Sequence, residues 1–347
     1  MLRLRHNIEF EQQDLKDGAG TVIKKRSKKF VFPIVHEVVI EKSYDVQTQT
    51  AKITLPRNLK SDEGLNLYAG NDPMLMRGDK VLIQCGYFPN MVTVFEGYVA
   101  RVDSGIPVTI KCEDEMFILK QDISPNISLP ATATLKQVLE KCKISTTYEV
   151  ESIDAGLGKF KTKQATKSWV LQSLRNIYGL FSFFIGKKLY VGLASWGRGK
   201  DVTFLFEHQI IDSDLNYLRA EDVRIQIKGV LIKSDNTRLE KNYGDQVNGD
   251  LRTVFQYGGT EPDLDKTCNR FLQQATYTGY HGSFETFLEP QTEPGDHAVI
   301  RSYKYPERDG TYLVKSVKTT FGVKGGRQHI ELERKLSDNS KPTDKSE

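Results

Sequence analysis

The sequence predicts a mainly β fold of the α+β class, with two related antiparallel β-barrel domains that flank a small α/β domain. Short runs rich in β-branched residues fill residues 30–115, helical apolar stripes appear in the middle of the chain, and β character returns towards its end. The chain has 347 residues, of which 38% are hydrophobic, so it is long enough to bury more than one core.

The composition argues against several classes of function. A net charge of +4, from 49 basic and 45 acidic residues, is too small to indicate a nucleic-acid or membrane partner. The sequence has no run of about 18 apolar residues and no apolar leader, so neither membrane insertion nor a signal peptide is expected. The four cysteines are widely spaced and form no C-x-x-C pair, which predicts reduced, buried thiols.

Residues 1–29 are predicted to be a polar N-terminal segment, and residues 30–120 the first β-barrel domain. The basic run Lys24 to Lys29 is expected to lie in a solvated loop, with nucleic-acid contact as the alternative. After it, the runs VHEVVIEK, TAKITLP, KVLIQCGY, VTVFEGYVARV and PVTIKCED alternate or cluster β-branched residues between turn residues. This pattern predicts an antiparallel sheet or barrel.

Residues 121–202 are predicted to form the small α/β domain. The first of two helical stripes places apolar residues at i, i+3, i+4 and i+7, namely Leu135, Val138, Leu139 and Cys142. The second, in WVLQSLRNIYG, follows Thr166 as a helix cap and ends at Gly179, a residue type preferred in left-handed C-terminal caps. The run LFSFFIGKKLYVG then predicts a hairpin around Gly186.

Residues 203–336 are predicted to be the second β-barrel domain, which includes one helix. The first strands of this domain are candidates to complete the first barrel. The runs VRIQIKGVLI and LRTVFQYG come first, and Thr260 is expected to cap the helix. Four further strands are expected in GSFETFLE, DHAVIRSY, TYLVKSVKTTFG and RQHIELERK. Residues 337–347 have almost no apolar content and are predicted to be a disordered tail.

The most informative feature is a repeat shared by the two predicted barrels. A Gly-Asp pair precedes an apolar strand in both MRGDKVLIQCGY and EPGDHAVIRSY. Glycine supplies the unusual φ of such a turn, and aspartate can accept hydrogen bonds from the following backbone N–H groups. Two valines three residues apart follow at similar spacing, and an alternating strand closes each unit. The matched positions are Gly78, Asp79, Val81, Ile83, Val99 and Val102 in the first copy, and Gly295, Asp296, Ala298, Ile300, Val314 and Val317 in the second.

The same segments resemble a known family. The runs ITLPRNL, RGDKVLIQCGY, VFEGYVARV and PVTIKCEDEMFILK resemble the baseplate hub proteins of contractile phage tails, the late control protein D-like family, which is related to the hub domains of type VI secretion spikes. The middle run WVLQSLRNIYGLFSFFIGKKLYVG is similar to their α/β domain. The closing run from PGDHAVIRSY to IELERKL is similar to their last barrel, so the resemblance spans roughly residues 30–335.

The resemblance implies a mechanical function. In this family the hub is a homotrimer. Its chains contribute two barrels each, and the resulting ring of six barrels can bind the hexameric tail tube. The opposite side of the trimer, which has threefold symmetry, binds the central spike. The implied partners are further copies of the chain, the tail tube protein, the central spike protein and the tape-measure protein, with DNA only as passing cargo. The implied location is the virion tail baseplate, reached after assembly in the bacterial host cytoplasm. The hub of a related contractile injection or secretion machine is the alternative.

Catalytic motifs are weak, and we expect no enzyme activity and no cofactor or metal. The histidines form no H-E-x-x-H motif, and no G-x-S-x-G is present. The alternative from another class is a carbohydrate-active β-protein enzyme that uses carboxylates of the run Glu113–Glu115 or near Asp212. Adjacent positions of a strand point to opposite faces, so neighbouring carboxylates of this run would not face the same substrate. A patch of charge at a strand end is therefore the favoured interpretation.

Three other short motifs have simpler explanations. The run Gly192–Arg198 imitates the start of a phosphate loop but lacks its Lys-Ser/Thr ending. The acidic positions Asp212, Asp214 and Asp235 are too irregular for a calcium loop. The tripeptide Arg77-Gly78-Asp79 matches an adhesion motif, but the repeat already explains its last two residues.

Overall fold

The computed structural model describes residues 3–16, 21–32, 34–55, 73–103, 105, 107–130, 132–192, 199–233, 237–258 and 260–337. Strands dominate these residues, and nearly all strand pairs of the one large sheet are antiparallel, so the predicted mainly β fold is confirmed. Four clusters of buried apolar side chains hold the elements together. Within the described ranges, no helix is long and apolar enough to cross a membrane.

The first β unit contains nine strands from the N-terminal third of the chain. They are β1 (Leu4–Glu11), β2 (Leu15–Lys16), β3 (Val22–Lys24), β4 (Lys29–Phe32), β5 (Glu37–Ser43), β6 (Thr50–Leu55), β7 (Lys80–Tyr87), β8 (Val92–Asp103) and β9 (Val108–Glu113). Seven of them pair in the order β4-β1-β7-β8-β9-β6-β5, and β2 with β3 forms a separate ribbon. Alternating side chains fill one core, which includes Ile53, Ile83 and Ile110.

The N-terminal segment differs from the sequence prediction. β1 pairs antiparallel with both β7 and β4, so it lies inside the first β unit. Ile8 and Phe10 on this strand have no exposed surface and belong to the core of the unit. Charged residues alternate with these two, which makes the segment polar on average although one face of the strand is apolar.

The middle of the chain folds as an α/β layer. It contains α1 (Met116–Leu119), β10 (Ile127–Leu129), α2 (Leu135–Lys141), β11 (Glu149–Ser152), β12 (Phe160–Thr162), α3 (Lys167–Tyr178), β13 (Phe181–Ile185) and β14 (Lys188–Gly192). Thr134 and Gln137 form a capping box on α2, and Thr166 caps α3 by accepting a hydrogen bond from the Trp169 N–H. Gly179 ends α3 at φ 65°, as its position predicted.

The last part of the chain contains the second β unit and an inserted layer. The second β unit consists of β15 (Asp201–Leu205), β16 (Ile210–Ser213), β17 (Asn216–Leu218), β21 (Gly279–His281), β22 (Ser283–Thr286), β23 (His297–Arg301), β24 (Gly310–Gly322) and β25 (Gly325–Ser337). The inserted layer consists of β18 (Ile225–Ile232), β19 (Arg238–Gly244), β20 (Asp250–Tyr257) and α5 (Glu261–Ala275). A short helix, α4 (Phe206–Gln209), and two 3₁₀ turns (Ala220–Asp222 and Pro306–Arg308) complete the described elements.

The inserted layer occupies a different place from the one that the sequence suggested. β18 and β20, the first long strands after residue 220, form a three-stranded sheet with β19 and do not complete the first β unit. One face of this sheet packs on α5, and Val230 and Ile232 on the other face enter the core of the α/β layer. A strand buried on both faces has a nearly continuous apolar run, and the second half of β18, GVLI, is such a run and is fully buried.

The two β units are joined edge to edge in one sheet of 13 strands. β24 pairs antiparallel with β5 over seven residues, from Ser316 opposite Ser43 to Gly322 opposite Glu37. Phe321, near the end of β24, is fully buried in the core of the first β unit. The join is therefore a hydrogen-bonded strand pair with an apolar anchor.

Candidate functional site

The Gly-Asp turn has the same backbone geometry in both β units. Gly78 has φ 95° and Gly295 has φ 92°, a region that side-chain-bearing residues rarely adopt. The Gly78 N–H donates to the Val99 carbonyl over 2.8 Å, and the Gly295 N–H donates to the Val314 carbonyl over 2.8 Å. The valine N–H groups donate back to the carbonyls of Asp79 and Asp296, over 2.8 and 2.9 Å. The turn thus fixes the start of one strand against the middle of the next.

The aspartate carboxylates also make matching contacts. One oxygen of Asp79 accepts from the Met76 N–H over 2.8 Å, and one oxygen of Asp296 accepts from the Glu293 N–H over 2.9 Å. Sequence reasoning expected acceptance from residues after the aspartate, whereas the donor lies three residues before it. Because both carboxylates are almost fully buried, these charge-assisted bonds hold the turn in one conformation.

The second carboxylate oxygen of each aspartate binds a segment that is distant in sequence. Asp79 accepts from the Gln13 N–H over 2.9 Å, just after β1, and Asp296 accepts from the Lys200 N–H over 3.1 Å, just before β15. β1 runs antiparallel to β7, whereas β15 runs parallel to β23. Both units therefore use the aspartate to fasten the strand beside the one that follows the turn, although the chain enters that neighbouring strand from opposite ends.

Arg26 gives the first turn a feature that the sequence did not reveal. Its guanidinium donates to both carboxylate oxygens of Asp79, over 2.9 and 3.0 Å, and both side chains are buried. It also donates to the backbone carbonyl of Met74 over 3.3 Å. The basic run from Lys24 to Lys29 is therefore not one solvated loop, since Arg26, between β3 and β4, is buried in an ion pair. Composition alone gave no signal to separate Arg26 from the neighbouring lysines.

A bulge explains the three-residue spacing of the repeated valines. In a regular strand, residues three apart point to opposite faces. Val99 lies opposite Cys112 and Val102 opposite Ile110, so Ala100 is an extra residue in β8. The second unit has the same irregularity: Val314 lies opposite Leu332, Val317 lies opposite Ile330, and Lys315 is the extra residue in β24.

The predicted apolar repeat positions lie in the cores of their own units. Val102 is partly buried against the first core. The other positions are buried, namely Val81, Ile83 and Val99 in the first unit, and Ala298, Ile300, Val314 and Val317 in the second. The repeated residues thus form two equivalent three-stranded segments, β7-β8-β9 and β23-β24-β25, which have the same turn and the same bulge.

The acidic run after β9 has three separate structural roles. Glu113 pairs with Lys120 over 2.8 Å at the surface. Asp114 accepts from the N–H groups of Gln49 and Met116, and burial raises the pKa of its carboxyl to about 7. The expectation of a strand-end charge patch is therefore correct only for Glu113.

Glu115 is buried beneath two tyrosines. Its carboxylate accepts from the Tyr148 hydroxyl over 2.9 Å and from the Tyr98 hydroxyl over 3.4 Å. Burial, together with the neighbouring charge of Glu115, raises the pKa of Tyr98 to about 12. The Glu115 carboxylate and the two tyrosine hydroxyls therefore link the first β unit to the α/β layer through hydrogen bonds.

A surface depression of about 380 Å³ lies over β1, β7 and β8. Its walls carry carboxylates and lysines, and several of these are paired: Lys29 lies 3.1 Å from Glu9, and Lys187 lies 3.2 Å from Glu96. In the described part of the chain, no three potential ligand side chains cluster in a way that could hold a metal ion. Asp212 and Asp214 lie at the exposed end of β16, whereas Asp235 and the run after Gly192 fall outside the described residues.

Solved structures of tail proteins share the fold of this chain. No protein-family model and no curated protein sequence matches the chain. The tail protein from Neisseria meningitidis MC58 superimposes with a TM-score of 0.58 at 12% identity, over 96% of this chain and 97% of that one. The 43 kDa tail protein of prophage MuSo2 from Shewanella oneidensis superimposes with a TM-score of 0.57 at 12% identity, over 95% of this chain and 97% of that one.

A secretion protein has a related fold. A component of the type VI secretion system of E. coli, which exhibits structural similarity to the T4 bacteriophage tail proteins gp27 and gp5, superimposes with a TM-score of 0.50 at 10% identity. This match covers 89% of the chain and 76% of the E. coli protein. The resemblance seen in the sequence is thus confirmed as a shared fold, which the tail proteins match over nearly their full length.

Proposed function

We propose that this protein is the structural hub of a phage or prophage tail baseplate, without enzyme activity. The observation that carries the proposal is the internal duplication: two β units with the same turn, carboxylate contacts and bulge, joined edge to edge within one chain. The shared fold with two tail proteins supports a role in the tail.

The duplication suits a protein that lies between parts of different symmetry. Three copies with two equivalent β units each present six similar surfaces in a ring. Such a ring can contact a hexameric tail tube on one side and, through its true threefold symmetry, a trimeric central spike on the other. In this proposal the two β units are the barrels of the ring, the α/β layer is a separate domain outside them, and DNA and the tape-measure protein pass through the centre.

The solution mass tests this proposal. We expect light scattering to give about three times the chain mass of 39.4 kDa, and imaging to show a ring of six lobes. Mixing with the tail tube protein and the spike protein of the same phage is expected to produce a complex that contains both. A protein that stays monomeric at all concentrations and with both partners would contradict the proposal.

Two other assignments have their own tests. The hub of a contractile injection or secretion machine is the second candidate, because the E. coli secretion component shares the fold; binding to a secretion tube protein in preference to a phage tube protein would support it. The carbohydrate-active enzyme predicts cleavage of peptidoglycan or glycans that is lost in Glu115→Gln. We expect no cleavage above a buffer control, because Glu115 is occupied by two tyrosine hydroxyls.

A further inference from the structure

The strand registers give a residue-by-residue correspondence between the two β units. Val99 corresponds to Val314 and Val102 to Val317, because each pair flanks its bulge in the same way. Across the next strand, Ile110 therefore corresponds to Ile330. The same rule can be followed from strand to strand around both units.

The correspondence continues to the outer strands. Ile53 pairs with Ile110 and Phe284 pairs with Ile330, so β6 corresponds to β22. Val38 pairs with Ile53 and Ser213 pairs with Phe284, so β5 corresponds to β16.

The same register continues without a shift beyond β16 and β22. Counting onwards along both strands predicts that the pair Glu41–Thr50 corresponds to Asn216–His281. Asn216 and His281 do lie opposite each other, in the short sheet of β17 and β21. β16 and β17 together are thus the second unit's version of β5.

Within the chain, the outer edge of β5 is covered by the far half of β24. Val317 lies opposite Lys42, and Lys318 lies opposite Glu41 with 3.1 Å between the ammonium nitrogen and a carboxylate oxygen. The equivalent edges are free in the described residues. β8 pairs only with β7 and β9, the β7 ladder ends opposite Tyr98, and β17 pairs only with β21.

We infer that these two free edges bind each other between copies of the protein. The far half of β8 in one copy pairs antiparallel with β17 of the next, in the register that β24 and β5 use within the chain. This places Arg101 opposite Leu218, Val102 opposite Tyr217 and Asp103 opposite Asn216. The inference rests on the proposed ring-forming hub and specifies its interface.

Physical properties of both edges fit this pairing. An unpaired strand edge presents backbone N–H and C=O groups that a second chain can satisfy. A contact between two different edges is heterologous, and repetition of such a contact closes a ring when the rotation allows it. The hairpin of β8 and β9 is shorter than that of β24 and β25, so the ladder between copies has fewer residue pairs than the seven within the chain. The junction between copies is therefore the weaker of the two.

Engineered disulfides test the register directly. Residues directly opposite in an antiparallel pair have Cα atoms about 4.5–5.5 Å apart, which a disulfide spans. The double variant Asp103→Cys/Asn216→Cys is expected to form disulfide-linked dimers and trimers under mild oxidation, and each single variant is expected to form none. The four native cysteines are buried and free, so they do not compete.

Two matched controls define the register. Lys318→Cys/Glu41→Cys is the equivalent pair within the chain and is expected to cross-link without any increase in mass. Asp103→Cys/Asp214→Cys is two residues out of register, about 7–8 Å between Cα atoms, and is expected not to cross-link.

Light scattering of the same samples separates the possible failures. A trimer with cross-links only in the predicted register supports both the interface and the proposed function. A trimer without these cross-links overturns the interface and leaves the hub proposal standing. A protein that stays monomeric and without cross-links at every concentration, alone and with the tube and spike proteins, overturns both. Cross-linked rings of another size support the interface and contradict the threefold hub.

Discussion

The first Gly-Asp turn contains a buried ion pair between Arg26 and Asp79. Replacing Arg26 by methionine removes the guanidinium but keeps a side chain of similar length. The Arg26 and Asp79 side chains are 4% and 1% exposed, so the variant leaves the Asp79 carboxylate buried with only backbone donors. Removing one partner of a buried pair costs about 3–5 kcal/mol, and we expect a loss in that range.

Lys29→Met is the matched control, because Lys29 belongs to the same basic run. Its contact with Glu9, at 3.1 Å, lies at the surface, where the lysine side chain is 59% exposed. Because water screens exposed ion pairs, the free energy of unfolding of this variant is expected to stay close to that of the parent protein. Guanidinium denaturation followed by circular dichroism measures both variants under the same conditions.

A double-mutant cycle with Asp79→Asn completes the experiment. Since Arg26 and Asp79 contact each other directly, the double variant is expected to lose about 1–3 kcal/mol less than the sum of the two single losses. Equal small losses in Arg26→Met and Lys29→Met, or additive losses in the cycle, would refute the role given to this ion pair.

Three further predictions concern the turns, a buried acid and the thiols. Gly78→Ala and Gly295→Ala are each expected to destabilise the protein by about 1–2 kcal/mol in thermal unfolding. The added Cβ would contact no other atom, so the loss comes from the positive φ alone. Gly156→Ala is the control, because Gly156 is equally open but has no positive φ, and its stability should change little. Burial raises the pKa of Asp114 from 3.8 to about 7, so its contribution to stability is full below pH 4 and falls by about 4 kcal/mol as the pH rises through 7. In Asp114→Asn, denaturation across this pH range should lack that fall, and an unchanged profile would contradict the assignment. Burial also raises the pKa of Cys85 to about 12, and all four cysteines are buried. A thiol reagent at pH 8 is therefore expected to label none of them in the folded protein and all four after unfolding. Rapid labelling of the folded protein would show that the thiols are accessible to solvent.

The sequence by itself determined the local structure of most of the chain. Alternation and apolar stripes are local properties, so they predicted the strands β5 to β9 and β22 to β25 and the helices α2, α3 and α5 close to their observed bounds. The spacing of the repeated valines also indicates the bulge, because two core positions three residues apart in one strand require an extra residue between them.

Only the tertiary structure decided which of these elements meet. No local pattern shows that β24 crosses to β5, because either edge of a strand can accept a partner. The same limit hid Arg26, whose partner lies 53 residues away: a charged side chain is buried only where the fold brings hydrogen-bond or ion-pair partners to it. The sequence therefore identified the two repeated units, and long-range pairing determined how they are joined and which edges stay free.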